Sequence, residues 1–351
     1  MIRVPRKESQ TIHPTQQLSG WALREIGKET NEPSNSAADK VRTKYLAALQ
    51  RESGRNIICY YSGFLSKPKV EGVEINDEDK NGFMLCVHKL DRSKGLDLFL
   101  HTPGGDGAAT ASLVHYLKEM FGKDIRAFVP QIAMSAGTLI ACSCKEIFMG
   151  KHSNIGPVDP QINGLPAYGV VEELKTAYAE ITTNNLKQYI WNPILSRYTP
   201  SFVQQCQWAI ERSKGLIGEY LAENMFSQLS ELDRRKRVDH IVECLTDLTE
   251  NKGHDKHIHY KECLDMGLEV KMLEDAPKAL QDLVLTVHHC YMFSLSNSGA
   301  FKIIENHLGR RFVKLQLAQP QMSFNLPQEL IEELMRELKG KGSSASSGTP
   351  H

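Results

Sequence analysis

The segment PQIAMSAGTLIACSCKEIFMG, residues 130–150, contains an isolated serine, Ser135, just before the small pair Ala136–Gly137. This serine stands where the β-rich run AFVP gives way to apolar residues at helical spacing. A serine at such a junction can cap the helix, because its side-chain oxygen can accept a bond from a backbone N–H of the first turn. It can also be a nucleophile. The sequence of the neighbouring segments is needed to distinguish between these two interpretations.

A glycine turn lies upstream of the serine. TPGGDG, residues 102–107, follows LDLFLH and precedes the helical pattern ATASLVHYLKEMFG. Gly104 and Gly105 allow backbone N–H groups to turn outward where a Cβ would clash, and such groups at a helix entrance form an oxyanion site. A tight connection would need the same glycines. The turn is neither a Walker loop nor a dinucleotide fingerprint, because GK[ST] and G-x-G-x-x-G are both absent.

Short β-rich runs alternate with these helical patterns. The runs are NIICYYSG (56–63), LDLFLHT (96–102), DIRAFVP (124–130) and EIFMG (146–150). The alternation predicts an α/β fold with a parallel sheet covered by helices. The glycine turn and the serine turn would then lie at the same edge of the sheet, which favours acyl chemistry at Ser135 with two backbone oxyanion donors.

Composition excludes several kinds of partner. The 42 basic and 42 acidic residues balance, so no overall field favours nucleic acid or an anionic membrane. The longest apolar runs are interrupted before they reach the roughly 20 residues of a membrane span. The N-terminal MIRVPRKESQTIHP lacks the apolar stretch of a signal peptide, so we expect a cytoplasmic protein. The eight scattered cysteines predict buried free thiols.

Four motifs in order carry a resemblance to a known family. They are LDLFLHTPGGDG (96–107), VPQIAMSAGTLIA (129–141), NIGPVDPQINGLPA (154–167) and KGHDKHIHYKECLDMGLEV (252–270). Together they resemble the serine dehydrogenase proteinase family, within the wider Clp protease and signal peptide peptidase A group of the ClpP/crotonase fold. The resemblance covers about residues 42–272.

The resemblance implies a spiral of βαβ units and peptide hydrolysis through an acyl-enzyme. Ser135 matches the nucleophile of the family. The N–H groups of Gly105 and Ala136 match the oxyanion donors, and Gly104 shapes the turn. Because serine is a poor nucleophile at neutral pH, a base must take its proton.

The base is less clear from the sequence. The Clp protease branch uses a histidine, but Val158 and Asp159 stand where it would fall, and His152 precedes the strand. The signal peptide peptidase branch uses a buried, neutral lysine. Lys175, in GVVEELKTAYAEI, is close to the corresponding place. We therefore expect a Ser135–Lys175 dyad, and the other candidate lysines are Lys187 and Lys214.

We expect no metal and no cofactor. The histidines in HDKHIHYKEC, residues 254–263, have a spacing that matches no common structural zinc pattern, and the resemblance gives this segment a packing role. The HHC run at 288–290 is interpreted in the same way.

The chain is expected to have four parts. These are an N-terminal arm or linker (1–40), a ClpP/crotonase-like domain (41–272), a helical C-terminal extension (273–338) and a disordered tail (339–351). The extension includes the amphipathic pattern PQELIEELMRELKGK, whose apolar face would pack on its own domain or on a neighbouring subunit.

The sequence therefore predicts a serine peptidase. Without a P-loop in the chain, we expect peptides or unfolded protein as substrates and a separate ATPase as a possible partner. The resemblance also implies a homo-oligomeric ring. Two alternatives remain open: a crotonase-like acyl-CoA enzyme, and a non-catalytic scaffold or regulatory protein with the same fold.

Overall fold

The protein alternates strands and helices along the chain in a computed structural model that describes residues 34–246 and 256–316. The strands are β1 (Asn56–Ser62), β2 (Leu96–His101), β3 (Ile125–Val129), β4 (Ile132–Ala133), β5 (Glu146–Met149), β6 (Asn154–Ile155), β7 (Gln161–Ile162), β8 (Leu165–Pro166), β9 (Ile258–His259), β10 (Val270–Met272), β11 (Ala300–Asn306) and β12 (Arg311–Leu315).

The helices lie between these strands. They are α1 (Ser34–Ser53), α2 (Asp79–Val87), α3 (Gly107–Phe121), α4 (Ala136–Cys142), α5 (Ala167–Thr183), α6 (Gln188–Leu195), α7 (Pro200–Tyr220), α8 (Glu231–Thr246), α9 (Tyr260–Asp265) and α10 (Lys278–Asn297). A π-helical turn, Leu221–Met225, continues α7.

The main sheet has the strand order β10-β5-β3-β2-β1-β11-β12. The strands from β10 to β1 are parallel to one another, whereas β11 and β12 each run antiparallel to the preceding strand. A smaller sheet has the order β4-β6-β9, and β7 pairs with β8. The prediction of an α/β fold with a parallel sheet is confirmed.

Helices cover both faces of the main sheet. On β1, Ile58 and Tyr60 pack in one core cluster with Phe83 of α2. The alternate residues Ile57 and Tyr61 belong to a second cluster that includes apolar side chains of α1 and α10. Successive side chains of a strand point to opposite faces, so a strand covered on both sides has to be apolar throughout. This explains the apolar run IICYY, residues 57–61, within β1.

The sequence predicted the elements around the candidate site well. Strands β1, β2, β3 and β5 and helices α3 and α4 form in the expected segments. The described cysteines are all free, and only Cys244 among them is partly exposed, which confirms the expected buried thiols.

The structure differs from the predicted domain boundaries at both ends. Residues 273–316 form more than a helical extension, because β11 and β12 complete the main sheet and β11 pairs directly with β1. Helix α1 begins at Ser34, before the expected boundary at 41, and Ala38 is buried with Cys290 of α10. The sequence alone does not decide between a helix and a strand for AFKIIEN, because its short apolar run is compatible with either.

Buried polar contacts join these terminal elements to the sheet. Arg42 of α1 donates from Nε to Glu305 of β11 at 2.5 Å and from Nη1 to Ser294 of α10 at 2.7 Å. Removing one partner would leave a buried charge uncompensated. Helix α1, helix α10 and strand β11 are therefore integral parts of the folded unit. The amphipathic pattern PQELIEELMRELKGK and the tail lie outside the described residues.

No helix in the described part of the chain is both long enough and apolar enough to cross a membrane.

Candidate active site

Ser135 occupies a strained turn between β4 and α4. Its φ of 50° is positive, and its ψ is −111°. Residues other than glycine adopt such conformations at a cost of about 1–3 kcal/mol, and they cluster at functional sites. The hydroxyl makes no capping bond to helix α4. The helix-cap interpretation of Ser135 is therefore wrong.

The glycine turn packs directly against the serine turn. Thr102 donates its N–H to Ile132 at 3.1 Å, and Met134 donates its N–H to Thr102 at 3.0 Å. Gly104 has a φ of 104°, and Gly105 has a φ of 153°. Both values lie in the region that favours glycine, so the sequence motif is a conformational requirement.

The backbone of residue 75 fixes the outer side of the glycine turn. Ile75 donates its N–H to Gly104 O at 2.8 Å, and Asp106 donates its N–H to Ile75 O at 2.9 Å. This bridge uses groups on either side of Gly105 and leaves the N–H of Gly105 itself available. The N–H of Ala136 belongs to the first turn of α4, where backbone donors have no partner within the helix.

Ser135, Gly104, Gly105 and Ala136 line one cavity of about 670 Å³. The sequence predicted that these residues would meet, and the structure brings them together. The cavity has the volume of typical ligand pockets, which range from about 300 to 1,000 Å³. A half-buried hydroxyl beside two available backbone N–H groups can attack a carbonyl carbon while the N–H groups receive the oxyanion.

Asp159 lines the same cavity from the loop after β6. The residue is buried, with 1 % of its surface exposed. Burial raises the pKa of the Asp159 carboxyl to about 6, although a hydrogen bond from the Tyr168 backbone opposes this shift. Burial disfavours the charged form of an acid, and a carboxyl with a pKa near neutrality is suited to proton transfer.

The predicted lysine base does not meet Ser135. Lys175 lies on α5 with 66 % of its side chain exposed, and its Nζ is 2.6 Å from Glu172 on the same helix. It lines a separate cavity of about 520 Å³ together with Lys214. Lys187 is 3.1 Å from Glu180. No lysine or arginine is found among the described residues that line the cavity of Ser135.

The histidines give no alternative base in the described residues. His152 is exposed in the loop between β5 and β6, and it does not line the cavity of Ser135. His101 is buried, and burial lowers its pKa to about 4. His254 lies outside the described residues. Among those described, no group of three or more His, Cys, Asp or Glu residues could hold a metal ion.

Comparison with protein families identifies the part of the chain that carries this site. Residues 36–188 match the family of ClpP-like SDH-type serine proteinases. The matched segment contains Ser135, the glycine turn and Asp159. The resemblance that the motifs indicated is thus confirmed for this segment, and so is the expected ClpP-like fold class.

Two curated relatives come from Methanocaldococcus jannaschii. Uncharacterized protein MJ1495 is 32% identical over 136 residues, which are 37% of this chain and 46% of the relative. Uncharacterized protein MJ0137 is 28% identical over 197 residues, which are 56% of this chain and 60% of the relative. The matched segments span about half the length of these relatives. The family match therefore supports a peptidase, and the relatives add no activity.

Asp159 is the site residue that the sequence analysis passed over. In the motif GPVDPQ this carboxyl stands where the Clp protease branch has its histidine, and the resemblance implies no role for it. The sequence did contain an indication of this residue, because an aspartate between Val158 and Pro160 is a charged side chain in an otherwise apolar segment. Only the structure shows that it is buried and lines the same cavity as Ser135.

Proposed function

We propose that this protein is a serine peptidase that cleaves peptide bonds through an acyl-enzyme on Ser135. The observation that carries the proposal is the strained turn of Ser135, whose hydroxyl caps no helix and faces a cavity shared with Gly105 and Ala136. The match of residues 36–188 to a family of serine proteinases supports the same activity.

Each of these three residues has one role in the reaction. The Ser135 oxygen attacks the carbonyl carbon of the scissile bond. The negative charge that develops on the carbonyl oxygen is stabilised by the N–H groups of Gly105 and Ala136. The amine leaves, and water then hydrolyses the acyl-serine. Gly104 keeps the two turns in contact.

The Ser135–Lys175 dyad that the resemblance implies lacks geometric support within one chain. Lys175 is mostly exposed and paired with Glu172, whereas a lysine base has to be desolvated and neutral. If Lys175 is the base, Lys175→Met should abolish turnover and leave the circular dichroism spectrum unchanged. A normal rate in this variant removes Lys175 as the base and leaves Lys187 and Lys214 to be tested in the same way.

We propose peptides and unstructured protein segments as substrates. The sequence has no P-loop that could drive unfolding, so a folded protein would have to be opened by a separate ATPase. The purified protein should cut a pool of flexible peptides and leave a stably folded domain intact. Rapid degradation of the folded domain would contradict this substrate class.

A matched pair of serine variants tests the proposed function. Ser135→Ala should abolish peptide cleavage. Ser143→Ala, at the other end of the same helix, should keep it, because the Ser143 hydroxyl donates to Ile140 O and Ser143 does not line the cavity. Cleavage that persists in Ser135→Ala, with both variants folded, would refute the proposal.

A further inference from the structure

We propose that the Asp159 carboxylate is the general base that takes the proton of the Ser135 hydroxyl. This inference rests on the proposed function and assigns the base that the function requires. Both side chains line the same cavity, and Asp159 is its buried carboxylate. In this role Asp159 is a catalytic residue, because it acts directly on the proton of the Ser135 hydroxyl.

The backbone on both sides of Asp159 is anchored to neighbouring elements. Strand β6, four residues before Asp159, pairs with β4, which leads directly into Ser135. Val158 donates its N–H to Leu245 O of α8 at 2.9 Å, and Ala167 donates its N–H to Pro160 O at 2.9 Å. The loop is thus held at residues immediately before and after the carboxylate.

A hydroxyl joins this loop to the helix that follows the nucleophile. Thr138 of α4 accepts the N–H of Gly156 at 3.1 Å, and its Oγ1 lies 2.9 Å from Gly156 O. Thr138 is three residues after Ser135, and Gly156 is three residues before Asp159. The nucleophile and the carboxylate therefore belong to one rigidly connected unit. Such fixed positioning is what proton transfer requires.

Burial distinguishes Asp159 from the other carboxylates of the cavity. Glu74 and Asp106 also line it, but both are exposed. Asp106 accepts the N–H of Ala109 at 2.7 Å as the N-cap of α3. Lys175, Lys214 and Glu243 line a separate cavity. Burial raises the pKa of Asp159 to about 6, so it is mostly ionised at neutral pH and still basic enough to accept a proton.

Asp159 alone can carry every proton that the two halves of the reaction transfer. Asp159 takes the hydroxyl proton, directly or through one water, as the Ser135 oxygen bonds to the carbonyl carbon. The protonated acid gives this proton to the departing nitrogen as the C–N bond breaks. In the second half, Asp159 takes a proton from water, whose oxygen attacks the acyl-serine, and returns it to the Ser135 oxygen. The enzyme ends in its starting state.

The test uses a fluorophosphonate probe, because its reaction with an activated serine needs no known substrate. Labelling rates of Ser135 are measured from pH 4 to pH 10 for wild type, Asp159→Asn and Glu74→Gln. General-base catalysis contributes about 10²–10⁴-fold, so Asp159→Asn should lose that factor. Glu74→Gln removes a charge from the same cavity and should label at close to the wild-type rate.

The wild-type pH profile tests the inference even if Asp159→Asn fails to fold. An Asp159 base predicts a rate that rises up to about pH 6 and is level above about pH 7. A rate that keeps rising above pH 8 would overturn the inference in favour of a lysine. A folded Asp159→Asn variant that labels as fast as wild type would also overturn the inference. The proposed function would still stand in that case. If wild-type Ser135 does not react at any pH, both fall.

Discussion

A Cβ atom placed on Gly104 would lie 2.8 Å from the Cβ of Ser135 and 2.9 Å from the carbonyl oxygen of Met134. Real side chains do not approach this closely, so the serine turn can pack against the glycine turn only because residue 104 has no side chain. The two motifs are thus a single packed unit. The contact explains why a site for acyl chemistry would need both motifs.

Gly104→Ala should separate the two turns. Its Cβ would meet backbone and Cβ atoms that cannot move aside cheaply, and the φ of 104° is strained for alanine. The Gly105 N–H would shift away from the oxyanion. We expect peptide turnover to fall by about 10²–10³, the typical effect of losing one oxyanion donor.

Gly107→Ala is the matched control for this variant. Gly107 lines the same cavity, but a Cβ there meets no atom within 4 Å. This variant should remain close to wild type in turnover and in circular dichroism. If Gly104→Ala also keeps full turnover, the close contact of the two turns has no catalytic importance.

The strain at Ser135 predicts a trade-off between stability and activity: a residue that relieves the strain should stabilise the protein, but it lacks the nucleophilic hydroxyl. Glycine adopts positive φ freely, whereas serine and alanine do not. Ser135→Gly should therefore be more stable to urea than Ser135→Ala by about 1 kcal/mol, and both should be inactive. Equal stability of the two variants would show that the turn relaxes in solution.

The buried carboxyl of Asp159 should make stability depend on pH. Its pKa is raised from 3.8 to about 6, so between these values the native state binds more protons than the unfolded state. Stability then falls as the pH rises through this range and remains reduced above it. Asp159→Asn removes the titration and should be more stable than wild type at pH 7, by at most about 3 kcal/mol.

Urea unfolding of wild type and Asp159→Asn at pH 4 and pH 7 measures this effect. The advantage of the asparagine variant should be present at pH 7 and largely absent at pH 4. An equal difference at both pH values would mean that the carboxyl is not desolvated in solution.

A buried ion pair supports the segment that covers the glycine turn. Lys302 of β11 donates to Asp79 at 2.9 Å and to Glu74 O at 2.7 Å, and Asp79 accepts the N–H of Asn76 at 3.1 Å. Lys302→Met removes the nearer cation of the buried Asp79 and leaves only Lys314, at 3.8 Å, so it should cost at most about 3–5 kcal/mol of unfolding free energy.

Lys278→Met is the control for Lys302→Met. Lys278 pairs with Asp282 at the surface, where ion pairs contribute about 0–1 kcal/mol. The comparison is made by urea unfolding at neutral pH. If the two variants lose the same stability, the Lys302 pair is not desolvated as the structure has it.

The sequence was most informative where local chemistry decides the structure. Strands β1 and β2 are buried along their whole length because both sheet faces are covered, and positive φ values at residues 104 and 105 require glycine. These local signals were sufficient to predict that Ser135, Gly105 and Ala136 would meet. They could do so because parallel strands end at the same sheet edge.

Long-range contacts could not be predicted in the same way. Strand β11 joins the sheet beside β1, more than two hundred residues earlier in the chain, and no local pattern specifies that partner. The identity of the general base could not be predicted from the local sequence for the same reason. Lys175 and Asp159 both follow Ser135 in sequence, and only burial separates an exposed, paired lysine from a carboxyl inside the cavity.

The most direct test of this account is the position of the adduct after reaction with a fluorophosphonate probe. The labelled protein is digested, and mass spectrometry locates the modified residue. The account predicts a single adduct, on Ser135, that is absent in Ser135→Ala and unchanged in Ser143→Ala. An unlabelled protein, or an adduct that persists in Ser135→Ala, would contradict the claim that Ser135 is an activated nucleophile.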